Sequence, residues 1–493
     1  MTNELATGCD RCLTLESGTN TAKRCNHNLP CVGLFKQRCA ESAILSSSRT
    51  SYSDQCVRPS PEENGLGFAK VGLGLLSRRR IFNLPLVIWL MMVQYLDRKA
   101  TLSTAVQQVA QMRPRALLSD HKRLREGTVS AHTGAYSDAR QRMPLEVAEK
   151  VADRVFEHLL PRREALPGWD RQVFIVDGST LELPHTPELV ECYPPATNQH
   201  GTSHWPVLEI LVAQELTSGI AGRPCWGPMY GPQAVSEQAL TEQILERLPD
   251  HAVILGDINF GVFSVAFAAT QRGHDVLLRL QANRAEVIGR GGPAFTSGTD
   301  RQVDWRPSPH ERKKHVDLPA DASVPGRLIV QQVNASNGDM VTMYFFTTLD
   351  LNLDQLLQLY GNRWNVETDL RSLKQTLNLQ MLRCQSADMI AKELILAITG
   401  YNLVRAVMNA AAQQNGLNPR RLSFSRSQDV VNAALPGLEA AGSPEEYQIR
   451  LQRMLRLVAS CKLPDRSSRA TTPRQSWGHS RKFPKRQSAI TPP

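Results

Sequence analysis

The sequence predicts an α/β fold in which a mixed sheet is flanked by helices, entered through a helical region and enlarged by a β-rich insertion. Three observations predict it. Apolar residues recur at helical spacing between Ile81 and Met112 and again between Pro144 and Leu160. Two short apolar strands follow, and then a strand–helix–strand alternation that ends at Gly256-Asp257. Three more strand-like runs then precede a long amphipathic segment, Leu353 to Leu379.

The N-terminal segment, 1–70, shows neither helical nor strand periodicity and is rich in Ser, Thr, Asn and Pro, so it reads as a disordered leader or as sequence upstream of the true start. Six of the ten cysteines crowd into it, at Cys9, Cys12, Cys25, Cys31, Cys39 and Cys56. The Cys9-x-x-Cys12 pair with His27 supplies only part of a zinc pattern, because the remaining spacings are irregular. The other four cysteines are scattered and no signal-peptide pattern is seen, which together fit a reducing cytoplasm.

Over 71–165 the chain reads as a helical N-terminal domain. Leu86, Leu90, Val93 and Leu96 and then Leu102, Val106 and Val109 supply its apolar faces, and Pro144 sits where a helix start tolerates a missing N–H. The longest apolar run, Phe82 to Val93, holds Asn83 and Pro85 and is shorter than the roughly 20 residues a bilayer helix needs. After Pro167-Gly168 strands take over. Val173 to Val176 is a buried strand ending at Asp177-Gly178, with Leu181 to Leu183 as its hairpin partner. Val207 to Val212 is a second strand, Gln238 to Leu248 a helix, and Ala252 to Leu255 a further buried strand. The stretch of about 275–350, with strands at Asp275–Leu280, Arg327–Val333 and Met340–Thr347, reads as the β-rich insertion.

The chain carries 57 Lys and Arg against 47 Asp and Glu, a net charge of +10 that favours polyanionic partners such as nucleic acid. That charge is concentrated at the C-terminus, in a proline-bearing basic arm from Lys462 to Arg486 in which Asp465 is the only acid. At 41% apolar and 21% charged residues the composition excludes collagen-like, low-complexity and wholly disordered chains.

Two carboxylates, Asp177 and Asp257, fall at the carboxyl ends of two predicted strands, where open α/β sheets collect ligands and catalytic groups. Each taken alone is equally a turn former beside a glycine. On the long segment Leu359, Val366, Leu370, Leu373 and Leu377 form the apolar stripe. Tyr360, Arg363, Glu367 and Lys374 lie within a sector of about 60° beside it, with Arg371 on the same side. Such a face is either a solvated salt-bridge stripe or a phosphate-handling surface.

Tyr360-x2-Arg363-x3-Glu367-x6-Lys374 resembles the Tyr-Arg-Glu-Lys signature of the bacterial insertion-sequence transposases with a DDE catalytic triad, in the branch whose β-rich insertion precedes the glutamate. Val176-Asp177-Gly178 and Gly256-Asp257 resemble that family's first two acidic motifs. Trp364, Tyr401-Asn402-Leu403 and the helical region with Tyr136 to Arg140 are also similar, while the segment 1–70 has no counterpart.

The resemblance implies an RNase H-like catalytic core over 166–415, a helical C-terminal region over 416–460 and a basic disordered tail over 461–493. It implies that Asp177, Asp257 and Glu367 bind two Mg²⁺ ions, for which Mn²⁺ can substitute, with Asp177 bridging both. It further implies DNA partners (terminal inverted repeats and target DNA), a homodimer holding two ends, cut-and-paste chemistry through a hairpin end, no membrane role and a cytoplasmic, nucleoid-associated location. Tyr360, Arg363, Arg371 and Lys374 would contact DNA, and Arg279, Arg284, Arg312, Lys313 and Lys314 would line it as a set. Related enzymes flip a base onto an aromatic side chain; Trp305 is a candidate here, with core packing as the alternative. Two other readings stay open: an inactive, DNA-occupying relative, and an RNase H-like nuclease without strand transfer. The long insertion between Asp257 and Glu367 disfavours the second, since a simple nuclease of that fold has no evident need for one.

Overall fold

The computed structural model describes residues 80–97, 100–161, 165–166, 168–199, 201–334, 340–363 and 382–464. The expected leader, most of the basic tail, and Trp364, Glu367, Arg371 and Lys374 lie outside them.

Helices α1 (Leu84–Leu96), α2 (Leu102–Ala110), α3 (Lys122–Arg125), α4 (Gly134–Arg142) and α5 (Leu145–Leu159) come first. Asn83 starts α1 by accepting the Leu86 N–H, with Pro85 in the first turn, and a Thr101–Thr104 capping box starts α2. The chain then supplies β1 (Val173–Glu182), α6 (Pro187–Cys192), β2 (Pro195–Asn198), β3 (Gly201–Glu215), β4 (Cys225–Pro228), α7 (Glu237–Leu245), β5 (Val253–Gly256), α8 (Phe263–Gln271) and β6 (Asp275–Leu280). Next come α9 (Ala282–Ile288), β7 (Thr299–Trp305), α10 (Pro309–Lys314), β8 (Val324–Asn334), β9 (Met340–Thr347) and α11 (Leu353–Gly361), and finally α12 (Ala387–Gln414), α13 (Phe424–Glu439) and α14 (Pro444–Ser460).

The strands form one mixed sheet ordered β2-β3-β1-β5-β6-β9-β8-β7, with β4 also on β3. β3 runs antiparallel to β1, whereas β5 is parallel to β1 and β6 parallel to β5. This is the RNase H-like arrangement, a mixed sheet flanked by helices.

Three elements differ from their sequence expectation. Leu181–Leu183 is not a hairpin partner of Val173–Val176, because β1 continues through Gly178-Ser179-Thr180. The long β3 offers a pairing partner at every step, from Gly178 opposite Leu211 to Glu182 opposite Val207, so the turn-like composition is overridden. Asp275–Leu280 opens the stretch read as insertion, yet it pairs parallel with β5 through the crossover helix α8, and β9 pairs antiparallel with it. The strands β7 to β9 thus continue the core sheet. Of the helix expected to run from Leu353 to Leu379, the described part closes at Gly361, where the Arg363 N–H turns back to the Tyr360 carbonyl across the poor helix formers Gly361-Asn362, and 364–379 lies outside the described residues.

Helix α12 is the centre of the helical layer: α1, α5, α13 and α14 all pack on it, and their apolar residues join one continuous core with those of the sheet. A side chain at Gly400 would meet the Met92 carbonyl at 3.3 Å, which marks how closely α12 approaches α1. α12 is long and apolar enough to cross a bilayer, yet 94% of its most apolar window is buried inside the protein.

On α12, Glu393 is 2% exposed, and its carboxyl accepts from the Arg383 and Cys384 N–H groups and from the Tyr95 hydroxyl of α1. Burial pushes it up to about 7 from the ordinary 4.5. Because its folded value is the higher one, the unfolded chain loses this proton first as pH rises. Its stabilising contribution is therefore full below about pH 4.5 and is lost by about pH 7, a swing on the order of 3 kcal/mol. Urea denaturation at pH 4.5 and 7.5 should show this fall in wild type, and a smaller fall in Glu393→Gln.

Candidate active site

β1 brings Asp177 to the site. Val173, Phe174, Ile175 and Val176 fill the sheet centre, and the parallel pairing with β5 ends at Ile175 opposite Leu255. Asp177 is therefore the first polar residue beyond the parallel-paired segment, although β1 itself continues on β3. Its Oδ1 accepts the Gly178 N–H at 2.9 Å. Burial first, and then the charge of Asp257, pushes the Asp177 carboxyl up to about 7, while Arg363 works in the opposite direction.

Asp257 follows the last residue of β5. Its Oδ1 accepts the Asn259 N–H at 2.8 Å and its carbonyl accepts the Phe260 N–H at 3.1 Å, so a local turn fixes the carboxylate. Two glycines let this loop seat. A Cβ at Gly256 would lie 2.6 Å from that of Phe260, and one at Gly261 would lie 2.1 Å from the Arg279 carbonyl oxygen of β6.

Tyr360, the penultimate residue of α11, is 8% exposed and packs edge-on against Phe345 of β9 at 4.7 Å between ring centroids. Burial raises its phenol, and Arg363 and Arg279 oppose the shift. The Arg363 guanidinium stands 5.9 Å from the Tyr360 ring centroid. Asp177, Asp257, Tyr360 and Arg363 thus occupy one electrostatic neighbourhood. Because α11 stops at Gly361, Tyr360 is helical and Arg363 lies in the turn after it, not on one continuous helix face.

Trp305 takes the core-packing alternative. It is 3% exposed, at the end of β7, with edge-to-face contacts to Phe346 at 4.7 Å and Phe263 at 6.0 Å. The ring is spent on packing, so it is a core residue of the insertion and offers no face to a base. The basic set divides as well. Arg284 is tied to the Gly261 carbonyl and Arg312 to those of Pro319 and Ala320, whereas Lys313 and Lys314 are exposed.

Sequence reasoning missed Glu237. It stands in the first turn of α7 behind the Ser236 cap, a place where acidic residues are common for helix-dipole reasons, so its spacing carries no signal. Burial, followed by the charges of Glu209 and Asp257, pushes its carboxyl up to about 7. Glu209, opposite Thr180 on β3, is 6% exposed.

The carboxylates fit a hard divalent cation, being oxygen donors of which two have their proton affinity raised by burial first and by neighbouring negative charge second. Among the described residues no three His, Cys, Asp or Glu side chains converge on one ion position, and Glu367, the third expected ligand, lies outside them.

A family model described as a transposase DDE domain matches residues 168–403. The chain is also 27% identical over 420 residues, 83% of its own length and 88% of the relative's, to the transposase InsG for insertion sequence element IS4 of Escherichia coli (strain K12).

Proposed function

We propose that the chain, whose residues 168–403 match a transposase DDE domain and which is 27% identical to an insertion-sequence transposase, is itself such a transposase and moves its element by cut-and-paste transposition, cleaving DNA at the element's ends and joining them to target DNA. The observation that carries this reading is the pair Asp177 and Asp257 within the matched region, the first just beyond the segment of β1 that pairs parallel with β5 and the second just after the end of β5.

Asp177, Asp257 and Glu367 would hold two Mg²⁺ ions, or Mn²⁺ in their place. Bound there, such ions would supply Lewis acidity at the attacking and the leaving oxygen of the phosphodiester. The protein's own part is positional. β1 and the Asp257 turn fix two carboxylates beforehand, so no reorganisation is needed as the phosphodiester arrives. Arg363 and Tyr360, together with Arg371 and Lys374 of the signature, hold the DNA backbone and neutralise it. Two ends must be processed together, which calls for a homodimer in a paired-end complex, with a hairpin as the intermediate on the transposon end. DNA as substrate places the protein in the cytoplasm with the nucleoid.

The test is Mg²⁺-dependent cleavage of a labelled duplex carrying the element's terminal repeat. Wild type should nick at the repeat end, and Glu367→Gln should bind the duplex with unchanged affinity but leave it uncut. Binding without cleavage by wild type would instead identify an inactive, DNA-occupying relative, and cleavage without joining a nuclease of the same fold.

A further inference from the structure

We propose that the ribbon formed by β2 and the first residues of β3 is a DNA-contacting arm, in which Trp205, steadied by the His185–His204 stack, sets its ring against the bases of the duplex flanking the scissile phosphate. This rests on the transposase reading above, and adds to it a surface outside the triad and the Tyr-Arg-Glu-Lys signature.

Three observations carry the inference. The first is position. The parallel pairing of β1 with β5 stops at Ile175, whereas β1 itself runs on to Glu182 and β3 stays beside it as far as Val207. Before Val207, β3 pairs with β2, at Pro206 with Pro195, Thr202 with Thr197 and Gly201 with Asn198. A two-stranded ribbon therefore stands out past the edge of the sheet where Asp177 and Asp257 lie. From Asp177 it is five residues along β1 to Glu182, opposite Val207, and two more along β3 to Trp205, about 24 Å at ~3.4 Å per residue. That is less than the ~34 Å of one DNA turn, so a duplex leaving Asp177 along β1 meets the ribbon within about seven base pairs.

The second is a cluster of rings. His185, which follows β1, stacks on His204 of β3 with 4.4 Å between centroids and 7° between planes, and Trp205 meets His204 edge-on at 4.6 Å. All three residues are exposed, Trp205 at 42%. Two separate segments thus hold an indole in solvent, and a ring steadied beforehand loses little conformational entropy on contact.

The third is composition. From Tyr193 to Leu208 there is no Asp, Glu, Lys or Arg, in a chain of which 21% of residues are charged. Beside the rings the exposed side chains are those of Thr197, Gln199, Thr202 and Ser203, hydroxyls and an amide that suit base edges, and no carboxylate there repels the duplex. The major groove of B-DNA admits a two-stranded ribbon. A protein strand is a poor alternative occupant. β2 is the outer strand, but it spans only Pro195–Asn198, opens on a proline and shifts register between Pro195 and Thr197, features that discourage strand addition.

The experiment measures binding of the full chain to a fluorescent duplex carrying the terminal repeat, by anisotropy over a series of salt concentrations, with chelator present so that no cleavage enters the readout. Trp205→Ala should bind about 10-fold more weakly at every salt concentration, because an aromatic contact with bases releases no counterions and leaves the salt slope unchanged. Loss of a phosphate-contacting lysine would instead lower that slope by about one. Trp205→Phe keeps a ring and should stay within about threefold of wild type. Met340→Ala, at a 58% exposed apolar residue of β9 on the other flank of the sheet, should stay within about twofold. The melting temperature of Trp205→Ala should match wild type, since the ring is exposed. Wild-type affinity in Trp205→Ala, or a loss matched by a fall in melting temperature, overturns the proposal and leaves the transposase reading intact wherever wild type cuts the repeat. Unchanged DNA affinity with weaker self-association in sedimentation assigns the ribbon to a second copy of the chain and overturns it equally. A wild-type chain that neither binds nor cuts the repeat removes the transposase reading and this proposal with it.

Discussion

Asp177→Asn should lower strand cleavage at the terminal repeat by at least about a thousandfold, the equivalent of ~4 kcal/mol of transition-state stabilisation. Asparagine keeps the shape and one acceptor oxygen, so the hydrogen bond from the Gly178 N–H survives and the fold with it. What is lost is the charge that would hold the cations, so binding of the repeat should stay within a few-fold of wild type. Stability should move the opposite way. Burial and Asp257 raise the Asp177 carboxyl from 3.8 to about 7, so in the metal-free protein its stabilising contribution is present below about pH 4 and lost as pH rises to 7. Asparagine does not titrate. With chelator present, the variant should therefore equal or exceed wild type in urea at pH 8, by up to a few kcal/mol, and lose that advantage at pH 4. Cleavage within tenfold of wild type would remove Asp177 from the site.

Gly261→Ala should cost about 3 kcal/mol or more of folding stability and take most of the cleavage activity with it. The added methyl would lie 2.1 Å from the Arg279 carbonyl oxygen and 3.0 Å from its carbon, and both are backbone atoms of a central strand, so neither can rotate aside. The loop must lift off β6, and that loop carries Asp257, which the Asn259 and Phe260 N–H groups anchor to it. Gly361→Ala is the control. Among the described residues nothing lies within 4 Å of its added Cβ, and alanine at the last position of α11 should be neutral or stabilise by up to about 1 kcal/mol. A Gly261→Ala protein that melts with wild type would show that the loop yields without strain.

Much of the core could be read from local pattern. The runs Val173–Val176 and Val253–Leu255 are buried on both sides, and their continuous apolarity announces central strands whatever pairs with them. Asp177 and Asp257 could be picked out because each follows such a run, and their order before a Tyr-Arg-Glu-Lys spacing gave the pair its meaning. Trp305 could not be settled in this way. An aromatic in a β-rich segment suits either a base or a core, and only the positions of Phe263 and Phe346 decide between them.

By itself, then, the sequence determined the alternation of elements and the position of two aspartates after buried strands, because periodicity and motif spacing are properties of neighbours along the chain. Tertiary structure alone decided that β6 belongs to the core sheet, that β1 runs unbroken past Asp177, that Trp305 is packed away, and that Glu237 reaches the backbone at Gly178. Each of these is a matter of which distant segment comes alongside. Glu237 and Gly178 lie far apart along the chain, and nothing local to either one encodes that a carboxylate from a helix start will fill the space left by a missing side chain on a strand.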